Sequence, residues 1–318
     1  MKYIALIGTG RHGSRYAEHI SHDIEGLGLT GIWRRSAEGR EQAVRWSTSL
    51  YEDWQEMIAA PEVDAVAAVV PPSLHLEIAR ACARERKPLL LEKPLARNAA
   101  EAKAILQIMD AAEVPLTVAQ SLRYNPVIQA LRQRLPEMGE LYSFTANQRL
   151  EPSTLGWHDD QETAGAGVLF HTAIHVFDAL REITGLKAKR VMAHGRQVHA
   201  RVLEDLVIAT VELENGVLGT VDVSKVGQAR TGRYEFVCRG GQLHGDQIHA
   251  CLQVLQASSV TTQQNFSQRP TVLHLLRDWL AFLEGEGKNP ISGEEGLYAV
   301  QACEACLISI REGRWVAV

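Results

Sequence analysis

Cysteine is scarce and poorly placed for cross-links: five residues in 318, odd in number and scattered along the chain. A disulfide framework is not expected, and a reducing compartment, the cytoplasm, is. Cys303-Glu304-Ala305-Cys306 spells CxxC but stands inside an apolar helical pattern with no second pair, so core packing is expected there rather than zinc or redox chemistry. Long hydrophobic runs are missing too. No stretch reaches the roughly 18 apolar residues of a membrane helix, so no membrane partner is expected. The opening run Met1–Ile7 is too short for a signal peptide and leads straight into Gly8. The chain also lacks a basic run. With a formal charge of −5, and only Arg34-Arg35 and Arg84-Glu85-Arg86-Lys87 as short basic clusters, it does not fit nucleic acid as its main partner. There is no internal repeat and no low-complexity segment. What remains is an ordinary composition, 46% apolar and 22% charged, on a chain long enough for two domains.

The N-terminus carries the strongest local signal. An apolar strand over residues 2–7 runs into Gly8-Thr9-Gly10-Arg11-His12-Gly13, and a helical pattern follows from Ser14 to about His22. This is G-x-G-x-x-G between a strand and a helix, the context in which it binds a dinucleotide. The first glycine permits the tight turn, the second lets backbone approach a pyrophosphate, and the third lets helix and strand pack closely. The second strand, Leu29–Trp33, ends in Arg34-Arg35-Ser36. An NAD site usually carries an acid about 20 residues beyond the glycines, whereas two guanidiniums and a hydroxyl suit a 2′-phosphate. NADP(H) is therefore favoured, with NAD(H) as the alternative.

The alternation of strands and helices continues. A helix near 52–60 leads to the strand Asp64–Val70, broken by Pro71-Pro72-Ser73, with Ser73 as a candidate cap for the helix carrying His75. A strand at 88–91 follows, then a helix over 99–113 starting from Asn98, and a short strand over 116–119. This reads as a doubly wound parallel sheet filling a Rossmann domain over residues 1–120. Within it, the strand Leu89-Leu90-Leu91 ends in Glu92-Lys93-Pro94. Ligands in open α/β sheets collect beyond the carboxyl ends of strands, so Lys93 is placed to present an ammonium to such a crevice, on a turn stiffened by Pro94.

Beyond Gln120 the pattern changes, and residues 121–318 read as a second α/β domain for substrate binding and oligomerisation. Asn125-Pro126 opens a helix as cap and first residue. A strand spans Leu141–Arg149, and strand-like runs follow over Leu206–Leu213, Val217–Val223 and Tyr234–Cys238. Turn signals Asn215-Gly216 and Gly240-Gly241 join them into a mainly antiparallel sheet. Helices are expected near 167–184, 270–284 and 294–312, and Ala257–Pro270 reads as a polar loop. The segment Thr163–Asp178 begins with a glycine-rich turn and continues as a helix that places His171, His175 and Asp178 along one face. His-x-x-x-His without the glutamate of H-E-x-x-H and without an evident third ligand is no metal motif, so no metal is expected.

In this order the motifs resemble the glucose–fructose oxidoreductase/inositol dehydrogenase/MocA (Gfo/Idh/MocA) family of NAD(P)-dependent oxidoreductases. The resemblance runs from Gly8–Gly13 through Asp64–Val70, Pro72 and His75, Glu92-Lys93-Pro94 and Arg123-Tyr124-Asn125-Pro126. It continues through Gly165–Asp178 to Pro290–Leu297 and Gly313-Arg314. It implies hydride transfer between a nicotinamide and a hydroxyl or carbonyl of a small polar substrate such as a sugar, polyol or ketone. It also implies a homo-oligomer, dimer or tetramer, built through an open sheet. Lys93 and His175 are the expected catalytic pair. His175 matches the family histidine, while His171 stands where many members have an aspartate, and Gly165-Ala166-Gly167 replaces three glycines. Expected cofactor contacts are Gly8, Thr9, Gly10, Arg11, His12, Gly13, Arg34, Arg35, Ser36, Pro71, His75, Glu92, Lys93 and Gln120. Expected substrate contacts are His171, Arg123, Tyr124, Trp157 and His158. Two other functions fit the same fold: a non-catalytic NADP(H)-binding sensor, and a glycosidase using its nucleotide transiently.

Overall fold

The computed structural model describes all 318 residues. Contacts divide the chain into two compact units, Met1–Ser121 with Pro270–Leu297, and Leu122–Arg269 with Tyr298–Val318.

The first unit is built on six parallel strands: β1 (Lys2–Ile7), β2 (Leu27–Trp33), β3 (Ser49–Tyr51), β4 (Ala65–Ala68), β5 (Leu89–Leu91) and β6 (Leu116–Val118). Their order is β3-β2-β1-β4-β5-β6. Strands β4, β5 and β6 are buried along their whole length, which is why they read as unbroken apolar runs. The order reverses between β1 and β4, and in this topology ligands bind beyond the carboxyl ends at that switch point. Gly8, Val69-Val70-Pro71, Lys93 and Gln120 follow the carboxyl ends of β1, β4, β5 and β6.

Residues 270–297 depart from the expected boundary, because they are tied to β6. Val118 N–H donates to Ile291 O at 3.0 Å, Thr117 Oγ1 donates to Asn289 at 2.9 Å, and Asn289 Nδ2 donates to Leu116 O at 2.7 Å. The preceding helix, Thr271–Leu283, brings Leu280 onto Gly26, where an added Cβ would lie 3.0 Å from the leucine.

The second unit carries nine strands: β7 (Leu141–Arg149), β8 (Ala188–Arg196), β9 (Leu206–Leu213), β10 (Leu218–Ser224), β11 (Thr231–Cys238), β12 (Gly241–Asp246), β13 (Cys251–Gln256), β14 (Ser259–Asn265) and β15 (Val316–Ala317). Their order is β14-β13-β12-β11-β7-β10-β9-β8-β15, and only β7 and β10 pair in parallel. One face of the sheet is core and the other is open, so burial alternates along β9 and β11. On the open face Ile208, Leu218 and Val237 remain substantially exposed.

Local signals translate directly. Asn98 Oδ1 accepts from Glu101 N–H at 2.8 Å and Asn125 Oδ1 from Val127 N–H at 2.9 Å, so both asparagines cap their helices. Gly216 turns the β9–β10 hairpin at φ +87°. Three expectations fail. Ser73 is not a cap: a short 3₁₀ turn, Pro72–Leu74, runs straight into the helix His75–Arg84, which has no side-chain cap. The polar stretch after Ala257 is not all loop, since Ser259–Asn265 forms the edge strand β14, paired on one side only with β13. An edge strand with both faces wet has no apolar alternation to betray it. The helix through His171 and His175 is also not uniform: Leu169–Ala173 is a π-helical turn, and α-helix resumes over Ile174–Thr184.

Candidate functional site

In the first unit the three glycines of the turn after β1 have three different reasons to lack a side chain. Gly8 has φ +92°, and a Cβ there would sit 2.4 Å from Val69 O. A Cβ on Gly13 would lie 1.9 Å from Gly8 O. Around Gly10 nothing lies within 4 Å, so its backbone is open to a ligand. Thr9 is fully buried: its hydroxyl donates to Gln42 Oε1 at 2.6 Å, and its carbonyl accepts from Gln42 Nε2 at 3.0 Å and Arg34 Nη1 at 2.5 Å. Its side chain and carbonyl are committed within the protein, whereas Arg11 and His12 stand exposed on the loop.

Arg34 is less available than its sequence position implies. Its Nε donates to Ser36 Oγ at 2.6 Å and its Nη2 pairs with Glu38. Glu38 went unnoticed in the sequence because it stands beyond the expected acid position; only the guanidinium's reach brings it in. Arg35 and Ser36 are exposed.

Glu92 is the electrostatic centre of this unit. It is buried, and its carboxylate accepts from His12 Nε2 at 2.7 Å, Tyr16 O–H at 2.5 Å and the backbone N–H of Lys93 at 3.0 Å. Burial alone would raise its pKa. Attraction and hydrogen bonding from His12, the Lys93 charge and the Tyr16 hydroxyl overcome that and hold it at about 2. The neighbouring Lys93 responds the other way: burial lowers its pKa, and attraction to Glu92 offsets part of that. The glycine-turn histidine and the candidate lysine thus share one carboxylate. His75, read as a cofactor contact, is fully buried with its ring nitrogens 3.0 Å from Leu95 O and 3.1 Å from Val70 O. It ties the segment after β4, next to Pro71, to the turn bearing Lys93. Burial lowers its pKa. Gln120 is fully buried, and neither its amide nitrogen nor its oxygen has a hydrogen-bond partner. Such a group is costly to leave unpaired.

These features fit a dinucleotide. Gly8 and Gly13 let the turn pack against the protein's own backbone, Gly10 leaves backbone open to a ligand, and Gln120 holds an orphaned amide just beyond the carboxyl end of β6.

In the second unit, His158, His171 and Trp157 come together. The imidazoles of His158 and His171 stack with centroids 3.8 Å apart, and the Trp157 ring packs edge-on to both, at 4.2 and 5.4 Å. Their spacing in sequence gives no hint of this contact. His175 lies further along the same helix and is half-buried. Asp178 is fully buried and is a partner of Arg123 rather than part of an acid–base set. Arg123 Nε lies 2.9 and 3.2 Å from its two oxygens and Nη2 lies 2.5 Å from Oδ1, with Glu182 3.4 Å away. Arg123, expected at the substrate, is therefore committed to a buried bidentate ion pair. Tyr124 is half-buried in the adjacent turn. Lys225, Asp205 and Ser153, which the sequence did not single out, line a cavity beside His158 and His171. Cys303 and Cys306 are buried in helix Gly293–Glu312, and burial pushes both thiols up. No helix is long and apolar enough to cross a membrane.

Comparison with known proteins places the chain in context. The profile of the oxidoreductase family with an NAD-binding Rossmann fold matches residues 2–120, and that of the GFO/IDH/MocA C-terminal domain matches residues 128–244. An uncharacterized protein of Saccharomyces cerevisiae is 30% identical over 173 residues, 52% of this chain and 49% of the relative, so that match spans about half of each. A scyllo-inositol 2-dehydrogenase (NAD(+)) of Bacillus subtilis is 27% identical over 70% of this chain and 66% of its own. A myo-inositol 2-dehydrogenase of Thermotoga maritima is 24% identical over 98% of this chain and 97% of its own. Among solved structures, a levoglucosan dehydrogenase in complex with NADH and levoglucosan superposes with a TM-score of 0.89 at 22% identity, covering 100% of this chain and 99% of that one, a likeness of fold. Sheet order, glycine turn and the two family matches agree: the chain belongs to the Gfo/Idh/MocA family of oxidoreductases.

Proposed function

We propose that the chain is an NAD(P)-dependent dehydrogenase acting on a hydroxyl or carbonyl of a small polar substrate. The observation that carries this reading is Glu92, a buried carboxylate joining the glycine-turn His12 to the turn of Lys93. When bound, the nicotinamide supplies or accepts the hydride. Gly8, Gly10 and Gly13 would hold its phosphates, and Gln120 would satisfy its amide on a polar group of the cofactor or substrate. In the first unit Lys93 is assigned the role of polarising the reacting oxygen through its ammonium; in the second, His175 is assigned the proton. The aromatic wall of Trp157, His158 and His171 borders the substrate.

NADP(H) is the proposed partner, on the strength of Arg34, Arg35 and Ser36. Glu38 favours the competing reading: a carboxylate in that turn suits a ribose 2′-hydroxyl and repels a 2′-phosphate. Fluorescence titration with NADPH and NADH decides between them, and tighter NADH binding that E38Q weakens would establish the second. The open sheet face bearing Ile208, Leu218 and Val237 supports pairing of two copies. The five free cysteines, four of them buried, suit a reducing cytoplasm.

The activity is tested with a panel of sugars, polyols and ketones followed by nicotinamide absorbance. Lys93→Ala and His175→Ala are each expected to lower turnover by about 10²-fold or more, and His175→Ala should leave cofactor affinity near the wild-type value. Near-normal rates in both variants would remove the mechanism. Cofactor binding without turnover of any substrate would favour a sensor.

A further inference from the structure

The second unit holds a cavity of about 210 Å³ with both acidic and basic side chains on its walls. How the acids are used decides its character. Asp159 accepts three backbone N–H groups, from Arg201, Val202 and Leu203 at 2.8, 3.0 and 2.8 Å. Asp205 accepts three more, from Val198, His199 and Ala200 at 2.8, 2.7 and 2.8 Å. Both carboxylates are thus spent on shaping the loop over residues 198–203, and their charge is dispersed over oriented amides. The third acid, Glu204, accepts Leu169 N–H at 3.1 Å, and burial pushes its carboxyl up toward the neutral form.

Other lining residues carry polar hydrogens: Ser153, His158, His171 and Lys225. His158 stacks on His171, and its Nδ1 lies 2.7 Å from Ser153 Oγ and 3.4 Å from Lys225 Nζ. Lys225 is fixed from behind, since it directly follows β10 and its backbone N–H donates to Asp205 O at 2.8 Å. Lys225 Nζ and Ser153 Oγ thus meet at His158 Nδ1, and these three side chains line the cavity together with His171.

We propose that this cavity receives a carboxylate carried by the substrate, so that the substrate class is an acidic sugar or polyol acid rather than a neutral polyol. A single ammonium beside a hydroxyl, both held on the acceptor nitrogen of His158, matches one negative charge. For its kinetic consequence the inference rests on the dehydrogenase reading above; for binding it stands alone.

The test uses the full-length protein and matched probes: D-glucuronate against D-glucose, D-gluconate against D-glucitol, and glucose 6-phosphate. Calorimetry should show each acid binding about 10–100-fold more tightly than its neutral partner, the range of a charge-assisted hydrogen bond. Lys225→Gln should erase most of that preference, and Lys225→Arg should keep it. In steady state the ratio of kcat/KM for acid over neutral substrate should collapse in K225Q; a merely structural role for Lys225 would lower both values together and leave the ratio unchanged. No preference for acids in either pair, a preference unaffected by K225Q, or tighter binding of glucose 6-phosphate than of the carboxylates overturns the proposal. Acid-selective binding without redox turnover keeps this inference and removes the dehydrogenase reading. Turnover of neutral polyols without acid preference does the reverse.

Discussion

Replacing Glu92 by glutamine removes a charge and almost no volume, so its effect isolates the electrostatics of the Lys93 turn. The carboxyl titrates at about 2 in the folded chain against 4.5 for an ordinary glutamate. At about 1.36 kcal/mol per pH unit, that difference corresponds to roughly 3 kcal/mol of stability at neutral pH. Because the folded value is the lower one, the stabilisation is complete well above pH 4.5 and drains as the solution is acidified. About 1.4 kcal/mol should be gone by pH 3.5, where most unfolded carboxyls are already protonated, and the remainder as pH falls through and below 2. Glutamine keeps an acceptor for the Tyr16 hydroxyl and Lys93 N–H but has no such titration. Glu92→Gln is therefore expected to cost about 2–3 kcal/mol at pH 7. The gap to wild type should narrow between pH 5 and pH 3.5. Urea unfolding of both proteins at pH 7, 5 and 3.5, followed by far-ultraviolet circular dichroism, measures it. A gap below about 0.5 kcal/mol at pH 7, or one that stays constant down to pH 3.5, would refute the account. The same substitution removes the attraction that offsets the effect of burial on Lys93, so any activity requiring the ammonium should lose its alkaline limb at a lower pH.

The glycine turn separates folding from binding. Gly13→Ala places a Cβ 1.9 Å from Gly8 O and should lower Tm sharply, whereas Gly10→Ala meets nothing within 4 Å and should leave Tm unchanged while weakening NAD(P)H binding in a fluorescence titration. Asp178→Ala removes the bidentate partner of the buried Arg123 guanidinium and leaves it with Glu182 at 3.4 Å, so it should cost about 3 kcal/mol in urea unfolding, the low end for breaking a buried pair. The double change Arg123→Met with Asp178→Leu should recover much of that loss, since removing both charges removes the penalty.

What could be read from the sequence was what neighbours in the chain decide. The glycine turn, the asparagine caps at 98 and 125, the Asn215-Gly216 hairpin and the buried strands are local patterns with local causes. What escaped reading was decided across long separations or by polarity without period. Arg123 looked like a substrate contact because nothing near it in sequence announces Asp178, fifty-five residues away. Lys225 stood in no motif and is identified only by its approach to His158, sixty-seven residues earlier. The edge strand β14 hid because its side chains are polar on both faces, and residues 270–297 were assigned by helical pattern alone, which says nothing about which sheet they join. Within the candidate site, the glycines and Glu92-Lys93 were legible as types at a strand end. Their coupling through His12 and Tyr16 required the fold.

The π-helical turn at Leu169–Ala173 has an evolutionary corollary. A π turn holds one residue more than an α-helix can accommodate, so loss of a single codon there would restore regular winding without breaking the helix. The restored helix would rotate everything upstream by about 100° relative to His175, the angle of one residue in an α-helix. The Gly165–Gly167 turn would swing with it and His171 would face elsewhere. Relatives that differ by one residue in this stretch should therefore differ in which side chain stands over the cavity, a change of selectivity reached by deletion rather than by substitution.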